Sequence, residues 1–248
     1  MTWFGRLVAE ANAEQLSFLR RRTAVFFTFG FPLILVLIFG VIVQSSPTGG
    51  GLFSRPAGFY VPGYLAVIVL FTPLSRVGST IARYREGNRF EKLATTPLHR
   101  FEWLTAHVIV NVGIILLASG IVLGILTGLT EAAIYPSLLM VPFIITSVVV
   151  FCGLGAVIGR LADSQDGVIA ASNAVALPLV FLSETFITPT MLPVWFRPAV
   201  ELSPLTFFAR GVRKAIYLQE PAIDELLVLT VLAIGFFILG AYAIPRGE

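Results

Sequence analysis

Few side chains in this 248-residue sequence are of the types that do covalent or metal chemistry, and their spacing argues against the usual arrangements. His99 and His107 are the only histidines, without a cysteine or carboxylate at ligand spacing, so no metal centre is expected. Lys92 and Lys214 are the only lysines, and neither follows the glycines of a phosphate-cradling G-x-x-x-x-G-K-[ST] loop. ATP binding by that motif is therefore excluded. There is no G-x-S-x-G elbow and no H-E-x-x-H pair, and His107, Asn111, Asn173 and Glu184 are too scattered in sequence to propose a membrane-embedded catalytic site. Cys152 is the single cysteine and sits in an apolar run, which rules out an internal disulfide and makes it a small buried hydrophobe. The chain is not expected to be an enzyme. One acid stands out, Glu184 at the end of an apolar window, because a carboxylate in hydrocarbon costs on the order of 3 kcal/mol and so faces water, a cavity or a partner. It reads either as an interfacial acid paired with Arg197 or Arg210, or as a candidate outer gate.

The elements that carry these residues follow from composition. The chain is 56% hydrophobic and only 12% charged, whereas a soluble domain carries roughly 25% charged residues. Charges are expelled from six windows near the ~20 residues that cross a bilayer: Ala24 to Val43, Pro56 to Ser75, Trp103 to Thr130, Ala132 to Gly159, Gly167 to Ser183 and Leu226 to Pro245. They lack the alternation of barrel strands, so an all-α polytopic membrane protein with six transmembrane helices is expected. The first window is not read as a signal peptide, since it is long and no small-x-small site follows it. Twelve of the seventeen Lys and Arg residues fall on one side if both termini are cytoplasmic, the remaining five being Arg55, Arg197, Arg210, Arg213 and Lys214. The bias places both termini inside a cell (plasma) membrane, with the pI of 9.3 a topology signal and no nucleic-acid partner implied.

Four segments flank or interrupt this pattern within what reads as a single transmembrane domain, 1–248. Residues 1–22 carry Phe4, Leu7, Val8, Ala11, Leu16 and Leu19 near helical spacing, with Glu10, Glu14 and Gln15 mostly opposite, which predicts an interfacial helix lying against membrane lipid. Residues 44–55, with Pro47 and Gly49 to Gly51, predict an exposed loop. Residues 83–102 hold the densest charge. A helix there should end before Pro97, with Phe90, Leu93 and Ala94 on one face suited to docking on a partner. Residues 184–224 contain five prolines among apolar residues and predict a broken, re-entrant segment between spans five and six. Within it Ser203-Pro204 opens a basic amphipathic helix, Leu205, Phe208, Ala209, Val212 and Ile216 on one stripe and Arg210, Arg213, Lys214 and Tyr217 on the other.

Three of these stretches together resemble the type-2 ABC transporter permease family. They are Val61-Pro62-Gly63-Tyr64 through Arg76; RYREGNRFEKLATTPL from Arg83 to Leu98, with its Glu-x-Leu and Thr-Pro steps; and Gly153 to Tyr217. The last contains the Asn-x-x-x-x-Pro span at Asn173 to Pro178, Leu182-Ser183, a Pro-x-x-x-x-Pro hairpin and Ser203-Pro204-Leu205-Thr206. The sequence departs from the family at Glu184, where glycine is usual. The resemblance implies the membrane half of an ATP-driven exporter, built from two cytoplasmic ABC ATPase subunits and two permeases, the second a copy or a paralogue. No cofactor is implied in this chain, ATP and Mg being expected in the partner ATPase. It further implies that Arg85, Glu86, Gly87, Phe90, Glu91, Leu93 and Pro97, with the N-terminal helix, form the coupling element. The substrate is not legible. An ion-coupled secondary transporter is the alternative reading, for which broken helices and intramembrane acids are also expected.

Overall fold

The computed structural model describes residues 2–38, 56–129, 134–186 and 193–245. The expected 44–55 loop, the end of the first window, residues 187–192 of the expected re-entrant segment and Arg246 lie outside them. Among the described residues there is no strand, and ten α-helices follow one another: α1 (Trp3–Arg20), α2 (Arg22–Val36), α3 (Ala57–Glu86), α4 (Arg89–Ala94), α5 (Arg100–Leu129), α6 (Met140–Leu161), α7 (Gln165–Phe181), α8 (Arg197–Glu201), α9 (Pro204–Arg213) and α10 (Ile223–Ala243). Four are long and apolar enough to cross a membrane: α3 from Gly58, α5, α6 and α10, while α7 is apolar but shorter. At ~1.5 Å per residue, thirty-residue α3 runs for about 45 Å and outreaches the hydrocarbon at its charged end.

α3 lies at the centre, against α5, α6, α7 and α9, and α6 packs on its other side against α10. Glycine makes the close approaches. A Cβ on Gly155 would come within 2.5 Å of the Leu74 carbonyl oxygen, and one on Gly159 within 2.5 Å of the Gly78 carbonyl oxygen, so the Gly155-x-x-x-Gly159 face of α6 meets the backbone of α3 directly. Gly240 of α10 meets Gly153 in the same way, with a Cβ 2.6 Å from its Cα. Lipid supplies no hydrophobic drive between apolar helices, so this backbone-to-backbone contact is what holds the spans together.

Several expectations are corrected. The fourth window opens at Ala132, yet α6 begins at Met140: Pro136 biases Tyr135 away from helix, and the Tyr135 N–H goes instead to the Ile216 carbonyl at 2.8 Å. α5 starts three residues before its window because the Glu102 carboxylate accepts from the His99 N–H at 2.9 Å, closing a capping interaction. The basic amphipathic helix has the expected stripes, and its basic side is engaged within the chain. α9 starts at Pro204 as predicted and buries Leu205, Phe208, Ala209 and Val212, but its cations are paired or buried, Arg213 among them. A π-type turn, Lys214–Leu218, ends in Gln219 with φ 56°. The predicted docking face of α4 is also altered, because Phe90 is buried within this chain.

Candidate functional site

Two polar clusters lie at opposite ends of the bundle. At the charged end, α1 turns an acidic side inward. Leu7, Glu14 and Phe18 are buried, while Trp3, Phe4, Val8, Leu16 and Leu19 are exposed. The Glu14 carboxylate accepts from Arg76 of α3 at 2.8 Å, and that guanidinium lies 4.1 Å from the Phe18 ring centroid. Removing one member of such a buried pair costs roughly 3–5 kcal/mol, because the other is left charged and unpaired. Arg6 donates through Nε and Nη2 to Glu102 at 3.1 and 2.5 Å, and this hydrogen bonding makes Arg6 hold its proton more tightly than an ordinary arginine. His107, almost wholly buried, stacks on Trp103 with ring centroids 3.8 Å apart and sits 3.8 Å from Glu10 and 3.7 Å from Glu14. The N-terminal helix is thus fastened to α3 and α5.

The turn between α3 and α5 is braced from within. Asn88 adopts the left-handed conformation, φ 50°, which reverses the chain after Glu86 and Gly87. Phe90 then packs edge-on against Tyr84 and Trp103, at centroid distances of 5.5 and 6.1 Å. Arg85 Nη1 donates to the carbonyls of Gly159, Arg160 and Ala162 at 3.3, 2.9 and 2.8 Å, capping the end of α6, where cations are favoured. Glu86 accepts from the Gln165 N–H and side-chain amide at 3.1 and 3.2 Å, at the start of α7. Of the residues expected to couple, Arg85, Glu86 and Phe90 therefore fix the turn and Leu93 is half-buried. Gly87, Glu91 and Pro97 are exposed beside Arg89 and Lys92. Asn88 and Glu102 escaped the sequence reading. An H-x-x-E spacing at His99 and Glu102 was the available signal.

At the other end, Arg210 donates to Glu184 through Nε at 3.1 Å and makes a second, close contact through Nη2, so the partner is Arg210 and not Arg197. Arg213 Nη2 donates to the Glu184 backbone carbonyl at 2.8 Å, its Nε to the Phe59 carbonyl at 3.3 Å, and its guanidinium covers the Phe59 ring at 4.1 Å. Lys214 pairs with Glu225 at 2.6 Å. Close packing survives where glycine is replaced at position 184, because the glycine is on the facing helix: a Cβ on Gly63 would come within 2.8 Å of the Thr185 carbonyl oxygen. The cluster joins the end of α7 to α3, α9 and α10 by charge-assisted bonds.

Comparison with known proteins gives this architecture a context. The family profile described as ABC-2 type transporter matches residues 7–217. The chain is similar to the inner membrane transport permease YadH of Escherichia coli (strain K12), 25% identical over 203 residues that cover 77% of this chain and 75% of that protein. It is also similar to the daunorubicin resistance ABC transporter permease protein DrrB1 of Streptomyces coeruleorubidus, 25% identical over 214 residues covering 82% and 71% of the two chains.

Proposed function

From its membership of the ABC-2 type transporter family, as a multi-pass permease subunit of an ABC transporter in the plasma membrane, we propose that this chain forms the substrate path of an exporter driven by separate ATPases. α2 and α7 join α3, α5, α6 and α10 to make six spans, with both termini cytoplasmic. Two permeases, copies or paralogues, stand over two ABC ATPase subunits, which hold the ATP and Mg. The observation that carries the reading is the α3–α4–α5 turn. Its inner side is locked by Phe90, Tyr84 and Trp103 and by Arg85 and Glu86, while Arg89, Glu91 and Lys92 point away from the chain. A rigid turn with a charged outer face transmits a push from a partner to α3, and through Arg76, Glu102 and α1 to the rest of the charged end. ATP-driven closure of the ATPases then biases the permease pair between two arrangements.

Reversing the outer charges tests this without touching the packing. Glu91→Arg with Lys92→Glu is expected to lose copurification of the ATPase while membrane abundance and melting temperature stay at wild-type values. Undiminished copurification would remove α4 from the coupling surface. Phe90→Asp is no substitute, since it breaks the ring cluster.

A further inference from the structure

Between α1, the start of α2 and the charged end of α3 lies a cleft of about 150 Å³, several times the ~30 Å³ share of one water. Three arginines converge on it: Arg21, Arg76 and Arg83. Arg76 commits Nη2 to Glu14 at 2.8 Å, and Arg83 commits Nη2 to the Thr80 hydroxyl at 3.1 Å. The Nη1 groups of both are buried and have no hydrogen-bond partner. A buried guanidinium N–H without an acceptor is costly, and two around one cleft need the same kind of occupant. Ser17, Ser75 and Ser79 add hydroxyls to the lining. Glu14 is the one carboxylate on the cleft and is already held by Arg76. Three guanidinium groups on the lining thus face one carboxylate, and the Nη1 groups of Arg76 and Arg83 are left without an acceptor.

We propose that this cleft binds an oxyanion, a phosphate group carried on a membrane lipid headgroup or inorganic phosphate. Arginine forks match the oxygens of a phosphate two at a time, which a point cation does not. Ser75, Ser79 and Arg83, with Arg76 and Thr80 beside them, share one side of α3 at i, i+4 spacing, just where its apolar run ends, so the site lies at headgroup depth. Bound there, the anion joins α1 to α3. The inference stands on the cleft itself and does not depend on the direction of transport.

The full-length chain is purified in zwitterionic detergent. Retention of phosphatidylglycerol against phosphatidylcholine is read by native mass spectrometry, and melting is followed with phosphate against chloride at equal ionic strength. Wild type is expected to prefer the anionic lipid by about tenfold or to be stabilised by phosphate beyond chloride. Stabilisation by phosphate, with displacement of the lipid, identifies a free-oxyanion site. Lipid preference without a phosphate effect identifies a headgroup site. Arg83→Gln and Ser79→Asp, the latter putting a tethered carboxylate into the cleft, are each expected to abolish the effect. No lipid preference together with no phosphate effect in wild type overturns the proposal, and so does wild-type behaviour in folded Ser79→Asp. If Arg83→Gln fails to fold, these two measurements still decide.

Discussion

The Glu184 carboxylate holds Arg210 while its own backbone carbonyl holds Arg213, so one residue ties two cations of α9 to the end of α7. The interfacial reading of this acid offers Arg197 or Arg210 as its partner, and the geometry selects Arg210. Whether the pair gates transport is open to a direct test. Glu184→Gln keeps the shape and an acceptor oxygen but removes the charge, a loss of roughly 1–3 kcal/mol for a charge-assisted bond. A gating pair is expected to give a changed initial transport rate at wild-type membrane abundance. Arg210→Gln should give the same change, and the double variant no more than either single one, because the two act as one interaction. Wild-type rates in both single variants would leave a structural pair only. The cations themselves were legible in sequence. Which partners they take was not settled there: nothing along the chain chose Arg210 over Arg197 for Glu184, twenty-six positions before Arg210, and Lys214 and Glu225 meet only in the packed bundle.

Among the elements, α6 shows how small residues set the spacing of the bundle. Gly155 faces a carbonyl of α3 that cannot move aside, whereas a Cβ on Gly120 of α5 would meet nothing within 4 Å. Gly155→Ala in the isolated chain is therefore expected to destabilise it by up to about 3 kcal/mol, the upper end of the cost of overpacking, and so to lower the melting temperature, and Gly120→Ala to leave it unchanged or raise it slightly. Equal effects would mean that α3 and α6 are not in backbone contact. Periodicity found the helices, but α6 is apolar on nearly every side, so no stripe in the sequence distinguishes the side facing α3 from the side facing α10. The apolar stripe of α4 is a different case. Its helical spacing was read correctly, and Phe90 does dock, but on Tyr84 and Trp103 of the same chain.

For the molecule as a whole, the orientation proposed from the arginine count places the α4 turn and the Glu184 cluster on opposite sides of the membrane. In a Cys152→Ser background, which removes a buried thiol, Glu201→Cys is expected to react with an impermeant thiol reagent in intact cells, and Asn88→Cys only after the membrane is opened. The reverse pattern would invert the topology. The helical, multi-pass character and the family were determined by the sequence alone, because expulsion of charge from bilayer-length windows and the order of Pro, Gly and Thr-Pro steps are local properties of the chain. Tertiary structure alone decided which charges meet. It turned Glu10 and Glu14 inward to His107 and Arg76, gave Arg85 and Glu86 the ends of α6 and α7 to cap, and gathered Arg21, Arg76 and Arg83 around one cleft. Ion pairing depends on distances across helices far apart in sequence, and no spacing along the chain encodes them.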